Sequence, residues 1–172
     1  MMKKKIIFFS ISIFLIFSFV IFFKSLNKFN LYEPKSKIED VPEFSITTFF
    51  EKKDVEKKDV FNKNKYYLLN IWASWCIPCR DEHSFLVNLS KNDKLEIIGL
   101  NYKDNFKNAK KFLEDLGNPY SKILSDKDGT QAIKWGAYGV PETFLVYENK
   151  IIKKYIGPLD SKSTNEIKDL IK

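Results

Sequence analysis

The chain has 172 residues and a formal net charge of +7, with 29 lysines and arginines against 22 acidic residues. This length is sufficient for one domain that buries a core without disulfide staples, which excludes a small disulfide scaffold. Three of the excess charges belong to Lys3, Lys4 and Lys5 at the amino end. The rest of the chain is therefore only mildly basic, and we expect no nucleic-acid partner.

The amino end predicts a membrane anchor. Residues 6–23 are uncharged and, apart from three serines, apolar, and as a helix they are long enough to cross a bilayer. No small-residue cleavage site follows, so we expect an uncleaved anchor, with a cleaved signal peptide as the alternative. Three lysines precede the run and only Lys24 and Lys28 follow it closely. This excess favours residues 1–5 in the cytoplasm and the domain outside, in an oxidising compartment.

Two polar stretches separate this anchor from the regular part of the chain. Residues 24–40 are rich in lysine, serine and glutamate and lack a sustained period, which predicts a linker to a domain that starts at Val41. In residues 51–60 the pentapeptide EKKDV occurs twice. A period of five fits neither a helix nor a strand, so we expect a solvated loop or hairpin tip here.

From Tyr66 onwards, strand-like and helix-like segments alternate. Apolar and β-branched runs predict strands at residues 66–72, 95–102, 123–125, 143–147 and 151–156. Helical spacing with start and stop signals predicts helices at residues 77–90 and 108–116, after Gly129, and from Ser161. The alternation indicates a layered α/β domain.

Cys76 and Cys79 are the only cysteines, and they form a Cys-x-x-Cys motif between a predicted strand and a predicted helix. At the start of a helix, unpaired N–H groups and the helix dipole stabilise a thiolate, so Cys76 is the expected nucleophile. Cys79 follows one helical turn later on the same face, where it can attack a mixed disulfide formed at Cys76. It is the expected resolving thiol, and the oxidised pair is the expected redox disulfide.

Other functions of a cysteine pair fit less well. Covalent haem attachment needs a histidine directly after the second cysteine, and that position is Arg80. A structural zinc site needs four ligands, and because the only histidine is His83, acids or another chain would have to complete it. A purely structural disulfide over so short a loop would stabilise the fold by only about 2 kcal/mol. Thiol–disulfide exchange is preferred, and zinc and a structural disulfide stay open as alternatives.

Residues 69–80 (LNIWASWCIPCR) resemble the active-site segment of thioredoxin-fold proteins. Four further stretches resemble the thiol:disulfide interchange proteins of cytochrome c maturation, the CcmG/DsbE type: residues 80–83 (RDEH), 99–104 (GLNYKD), 116–120 (LGNPY) and 138–144 (YGVPETF). The resemblance implies a thioredoxin-like fold, a central mixed β-sheet flanked by α-helices, in a periplasmic domain at residues 41–172. It also implies one transmembrane helix in the inner membrane, at residues 6–23.

The resemblance further implies a substrate-binding surface beside the cysteines. Pro141 matches a cis proline that faces the cysteine pair of the family. The backbone of Val140 matches one that pairs with an extended substrate. Trp75, directly before the first cysteine, is a candidate substrate contact, although a packing role is the commoner one for large aromatic residues at strand ends.

The same resemblance singles out two acids. The buried aspartate of thioredoxin, which helps to move the proton of the resolving thiol, falls where this chain has Asn70, and an amide cannot take up a proton. Glu82 and Glu142 lie where the resembled family carries acids, so we expect one of them to control the proton of Cys79. The alternatives are a solvated helix charge for Glu82 and a surface carboxylate for Glu142.

By resemblance, the substrate is the disulfide of a Cys-x-x-Cys-His segment in apocytochrome c, which must be reduced before haem is attached. Cytochrome assembly proteins are further implied partners, and a membrane electron donor of the DsbD or CcdA type would reduce the oxidised cysteine pair again. We expect no cofactor and no metal. Two alternatives stay open, an anchored thiol reductase for other envelope proteins and a binding module of the assembly complex without turnover.

Overall fold

The computed structural model describes residues 2–27, 39–62 and 64–172 and divides the chain into two units. The first unit contains helix α1, Met2–Asn27, which covers the predicted anchor and continues beyond it. Its large apolar side chains between Ile6 and Phe23 are exposed. The stretch Lys5–Lys24 is long and apolar enough to cross a membrane, which fits a membrane anchor.

The second unit is an α/β domain. Its described strands are β1 (Glu39–Asp40), β2 (Ser45–Thr47), β3 (Asp54–Glu56), β4 (Tyr66–Trp72), β5 (Leu95–Tyr102), β6 (Lys122–Asp126), β7 (Glu142–Tyr147) and β8 (Lys150–Ile156). Its described helices are α2 (Lys57–Val60), α3 (Ile77–Leu89), α4 (Phe106–Leu116), α5 (Thr130–Lys134) and α6 (Ser161–Leu170).

Six of these strands form one mixed sheet in the order β1, β8, β7, β4, β5, β6, and β2 pairs with β3 in a separate hairpin. The central strand β4 is parallel to β5 and antiparallel to β7. β5 and β6 are parallel, whereas β8 is antiparallel to both of its neighbours. The expected central mixed sheet flanked by helices is thereby confirmed.

Side chains of β4 alternate between the two faces of the sheet, as the period of two requires. Leu68 and Trp72 belong to a core cluster with residues of α3, α4 and α6. Tyr67, Leu69 and Ile71 belong to a second cluster on the opposite face. Because both faces are covered, β4 is apolar almost throughout, which explains why the strand could be predicted from its sequence.

The prediction for the EKKDV repeat is largely wrong. Only residues 51–53 lie in the turn of the β2–β3 hairpin, and the rest of the repeat forms β3 and α2. Val55 and Val60 are both buried in the domain core. Each copy of the repeat supplies one apolar side chain to the core, and so sparse a pattern gives no clear periodicity.

Two boundaries differ from the predicted ones by two residues. Glu39 and Asp40, the end of the predicted linker, form the edge strand β1 through backbone pairing with β8, while their side chains are exposed. Residues 28–38 of that linker lie outside the described residues. Helix α4 begins two residues earlier than predicted because the side chain of Asn105 caps it, accepting hydrogen bonds from the backbone N–H groups of Lys107 and Asn108.

Candidate active site

The cysteine pair lies where β4 leads through residues 73–75 into α3. Cys76 is the N-cap of α3, and its sulfur accepts a hydrogen bond of 3.1 Å from the backbone N–H of Cys79. The two sulfurs form a disulfide, with the Cα atoms 5.3 Å apart. Pro78 lies in the first turn, where its missing N–H leaves no helical hydrogen bond unmade. After reduction, the same backbone donor and the helix dipole stabilise a thiolate at Cys76.

Exposed apolar side chains flank these sulfurs. Cys76 and Cys79 are only 4% and 2% exposed, whereas Trp75 and Ile77 are 56% and 75% exposed. The ring N–H of Trp75 donates a 3.1 Å hydrogen bond to the backbone carbonyl of Lys103, which fixes the indole at the surface. Trp75 was expected beside the site, but Ile77 was not singled out in the sequence.

Asp104 connects the turn before the cysteines to the loop after β5. Its carboxylate accepts hydrogen bonds from the backbone N–H and the hydroxyl of Ser74, at 2.5 and 2.7 Å. It also accepts one from the side-chain amide of Asn101, at 3.0 Å. Because β4 and β5 are parallel neighbours, their carboxyl ends meet at one edge of the sheet. Asp104 lies in a stretch that carries the family resemblance, but it was not predicted as a site residue.

The loop before β7 reaches the same edge of the sheet. The peptide bond between Val140 and Pro141 is cis, as the resemblance implies. Glu142 pairs with Ile71 in the register of β4 and β7, so the two preceding residues lie beside the carboxyl end of β4. Val140 packs against the core cluster that contains both cysteines.

Glu142 is 1% exposed, so it is not a surface carboxylate. One of its oxygens, Oε1, accepts hydrogen bonds from the backbone N–H groups of Tyr138 and Gly139, at 2.6 and 3.1 Å. The other, Oε2, lies 2.8 Å from Nζ of Lys154. Lys154 also donates a 2.7 Å hydrogen bond to the carbonyl of Gly136. Together the two side chains fix the loop that precedes the cis peptide bond, and no motif in the sequence pointed to Lys154.

Glu82 follows Cys79 by one helical turn and is 1% exposed, so it is not a solvated helix charge. Its Oε1 accepts a 2.8 Å hydrogen bond from Nδ2 of Asn70, and its Oε2 accepts one of 2.8 Å from the backbone N–H of Leu159. Burial raises the pKa of Glu82 to about 7, against the opposing effect of these two hydrogen bonds. A carboxyl with this pKa gains and loses protons near neutral pH.

Asn70 joins Glu82 to two other buried side chains. Its Nδ2 also donates to Oγ1 of Thr143 at 3.0 Å, and its Oδ1 accepts a 2.8 Å hydrogen bond from the hydroxyl of Tyr120. Burial, with the nearby charge of Glu82, raises the pKa of Tyr120 well above its ordinary value, so the hydroxyl stays protonated. Tyr120 and Thr143 both lie in stretches that carry the resemblance, yet neither was predicted to take part in the site.

His83 forms no hydrogen bond with this network, although its ring packs edge-on against that of Tyr120, with the centroids 6.3 Å apart. Its Nε2 lies 2.8 Å from the carbonyl oxygen of Gly117, and its ring packs edge-on against Phe112. Burial lowers the pKa of His83, which favours the neutral ring. In the part of the chain that the structure describes, no group of three or more His, Cys, Asp or Glu side chains is arranged to hold a metal ion.

A cysteine pair that caps the helix after the central strand, with a cis proline beside it, defines a thioredoxin-like thiol:disulfide oxidoreductase. Comparison with known proteins supports this assignment. The profile of the Redoxin family matches residues 37–171. A solved thioredoxin domain of a thiol-disulfide oxidoreductase from Bacteroides vulgatus superimposes with a TM-score of 0.64 at 23% identity, over 78% of this chain and 96% of that one.

Two curated relatives narrow the class. The thiol:disulfide interchange protein DsbE of Vibrio cholerae is 38% identical in an alignment of 172 positions, gaps included, that covers 96% of this chain and 92% of that protein. The thiol:disulfide interchange protein CycY of Rhizobium leguminosarum bv. viciae is 48% identical over 109 residues, which cover 63% of this chain and 59% of that protein. The chain belongs to the Redoxin family and, within it, to the DsbE-type thiol:disulfide interchange proteins.

Proposed function

We propose that this protein is a membrane-anchored reductant that reduces the disulfide of the Cys-x-x-Cys-His segment in apocytochrome c before haem attachment. The observation that carries the proposal is the position of Cys76 at the amino end of α3, next to the cis Val140–Pro141 loop and the exposed Trp75. The reaction class is that of the DsbE-type proteins. The cytochrome substrate is supported by the resemblance to the interchange proteins of cytochrome c maturation.

The reaction consists of two exchanges at sulfur. The Cys76 thiolate attacks one sulfur of the substrate disulfide, and the other substrate sulfur leaves as a thiolate that takes up a proton. Cys79 then loses its proton and attacks the Cys76 sulfur of the mixed disulfide. The first substrate sulfur leaves, takes up a proton, and the Cys76–Cys79 disulfide forms. Two electrons pass to the substrate, and a membrane electron donor of the DsbD or CcdA type returns them to the protein.

Glu82 takes the proton of Cys79 in this scheme. The thiol of Cys79 is buried, so its proton needs an acceptor inside the protein. Glu82 lies one turn away on the same face of α3, and its pKa of about 7 lets it accept a proton near neutral pH and release it again. Glu142, the other acid considered, forms an ion pair with Lys154 and acts instead by fixing the substrate-binding loop.

The substrate binds along the edge formed by Trp75, Val140 and Pro141. Trp75 offers an exposed aromatic surface, and Val140 offers backbone groups directly before the cis bond. An extended segment paired with this backbone would place its disulfide over Cys76. The interaction is a short β-strand addition, in which main-chain hydrogen bonds provide affinity and the flanking side chains provide selectivity.

The membrane anchor is α1, in the inner membrane. The excess of lysines before the apolar run supports residues 1–5 in the cytoplasm and the α/β domain in the periplasm. The periplasm is oxidising, so cysteine pairs of newly exported apocytochromes form disulfides there and need a dedicated reductant.

Trapping of the mixed disulfide tests this function. The Cys79→Ala variant of the full chain cannot resolve the intermediate, so partners stay bound to Cys76 and are identified by mass spectrometry. Apocytochromes or cytochrome assembly proteins among them support the proposal. Unrelated envelope proteins indicate a general anchored reductase, and no covalent partner indicates a binding module. The matched control is Cys76→Ala/Cys79→Ala, which lacks the nucleophile and must trap nothing.

A further inference from the structure

Tyr120 donates the hydrogen bond that starts the buried network around Glu82. We propose that Tyr120, acting through Asn70, is a positioning residue that stabilises the ionised form of the Glu82 carboxyl. The proposal rests on the proposed function, in which Glu82 accepts the proton of Cys79, and adds a residue that controls how readily Glu82 does so. Tyr120 touches neither substrate nor sulfur in this scheme, and its whole effect passes through the amide of Asn70.

The first step is the orientation of the Asn70 amide. An amide has an acceptor end and a donor end, and its hydrogen-bond partners decide which way each end points. The hydroxyl of Tyr120 stays protonated and donates its hydrogen to Oδ1 of Asn70 at 2.8 Å. In the opposite orientation the N–H groups of Asn70 would face this hydroxyl, which would have to give up its own donation and accept instead. Tyr120 therefore favours the orientation in which Nδ2 of Asn70 points to Glu82.

The second step is the effect of that orientation on the carboxyl. Each oxygen of Glu82 then has an N–H donor at 2.8 Å, from Asn70 at Oε1 and from the backbone of Leu159 at Oε2. Hydrogen bonds donated to a carboxylate stabilise its charged form. If the amide turned over, Oδ1 of Asn70 would face Glu82, and an acceptor in that place stabilises the protonated carboxyl instead.

The ring of Tyr120 is held firmly enough to have this effect. It stacks on Trp72 with ring centroids 5.4 Å apart. Gly99 on β5 leaves the space for it, since a Cβ atom at residue 99 would lie 3.0 Å from two ring carbons of Tyr120. The hydroxyl is therefore delivered to Asn70 by packing on the neighbouring strand.

Other charges around Glu82 do not substitute for this effect. Among the residues that the structure describes, no lysine or arginine forms an ion pair with Glu82. The titratable or charged groups on the elements around it include Cys79, Arg80, Asp81 and His83 on α3, Tyr120 after α4, Glu142 on β7, and Asp160 and Glu166 before and on α6. The charged form of Glu82 is therefore stabilised against the cost of burial mainly by its hydrogen-bond donors.

The test follows the carboxyl of Glu82 directly, by ¹³C NMR titration of the oxidised full chain in detergent, so it does not depend on thiol chemistry. In Tyr120→Phe the midpoint of the Glu82 titration should rise by about one pH unit, because the side-chain amide of Asn70 is free to turn over. The matched control is Tyr67→Phe, a buried tyrosine on the other face of β4 whose hydroxyl accepts a hydrogen bond from Asn62. This control should leave the midpoint unchanged.

A double-mutant cycle separates positioning from general disturbance. Asn70→Leu removes the donor at Oε1 and should raise the midpoint of Glu82 by itself, which keeps the test valid if Tyr120→Phe fails to fold. Adding Tyr120→Phe to Asn70→Leu should then cause no further rise. An unchanged midpoint in Tyr120→Phe, or fully additive shifts in the double variant, would overturn the proposal.

The same variants distinguish this proposal from the proposed function. If Tyr120→Phe moves the Glu82 midpoint but Glu82→Gln leaves the pH dependence of Cys79 alkylation unchanged, the positioning is correct and the proton transfer from Cys79 to Glu82 is wrong. If Glu82→Gln alters Cys79 and Tyr120→Phe does nothing to Glu82, the proton role stands and the positioning is wrong.

Discussion

Two buried carboxylates near the cysteine pair, Glu82 and Glu142, have opposite surroundings. Among the described residues, Glu82 accepts hydrogen bonds from two neutral donors and no charged one, and burial raises its pKa to about 7. Glu142 lies 2.8 Å from the ammonium group of Lys154 and binds two backbone N–H groups of its own loop. A carboxyl without a cation suits proton exchange, whereas one paired with a cation suits the fixing of a backbone.

The largest effect that separates the two acids is the pH dependence of stability. The pKa of Glu82 rises from 4.5 to about 7 on folding, so over this range the native state holds a proton that the unfolded chain has released. The free energy of unfolding therefore falls as the pH rises through this range, by about 3 kcal/mol in total. Glu82→Gln should lose this part of the pH dependence.

Urea unfolding of the oxidised protein at pH 4.5 and pH 8 measures this difference. Glu142→Gln is the matched control, since it removes a buried carboxyl that has a cationic partner. Equal pH dependence in Glu82→Gln and the wild-type protein would contradict the assignment.

The next effect concerns the cation beside Glu142. Lys154→Met leaves a buried carboxylate without its partner and should destabilise the domain by about 2 kcal/mol, somewhat less than for a fully buried pair because Lys154 keeps some exposure. The loop before Pro141 should loosen, so the KM for a substrate should rise while the pH dependence of Cys79 is kept. Chemical denaturation and steady-state kinetics measure both. Lys153→Met, at the neighbouring position on β8, is the control.

A third acid, Asp104, extends the comparison because it fixes the turn before Cys76. Asp104→Ala leaves the backbone N–H and the hydroxyl of Ser74 without their acceptor and should cost about 1.5 kcal/mol of stability. We also expect slower reaction of Cys76 with an alkylating reagent, because the turn that positions it is less ordered. Normal stability together with a normal alkylation rate would show that the turn is held by other contacts. Asp93→Ala, in the exposed turn before β5, serves as the control.

The smallest expected effect on stability is that of Trp75→Ala. The side chain is 56% exposed, so its loss should change the free energy of unfolding by no more than about 0.5 kcal/mol. The yield of trapped partners in a Cys79→Ala background should nevertheless fall, because the aromatic contact beside the reacting sulfur is lost. The exposed Ile133 on α5 offers a control, since Ile133→Ala should change neither quantity. An undiminished yield in Trp75→Ala would exclude Trp75 from the substrate surface.

The fold and the sulfur chemistry could be predicted from sequence because their signals are local. The apolar run of β4, followed by Cys76 and Pro78, marks a strand that leads into a helix, and the structure has both. The prediction for the EKKDV repeat was wrong for the opposite reason. In β3 and α2, Val55 and Val60 are the only residues with buried side chains, and their burial depends on distant segments that cover them.

The different roles of Glu82 and Glu142 could not be predicted from the sequence, since both residues lie within family motifs and both are buried. What separates them lies outside the motifs. Lys154 reaches Glu142 across the β7–β8 hairpin, and Tyr120 reaches the Glu82 network through Asn70, which is 50 residues away from it in sequence. The first contact depends on the exact register of the hairpin and the second on the order of strands in the sheet, and neither can be read from the spacing within a motif.

The pH dependence of Cys79 alkylation tests the central claim most directly. In a Cys76→Ala background, the rate should rise with pH and show an inflection near pH 7, where Glu82 titrates. Glu82→Gln should remove this inflection, whereas Glu142→Gln should keep it. An inflection that persists in Glu82→Gln, or one that disappears only in Glu142→Gln, would contradict the assignment of the resolving proton to Glu82.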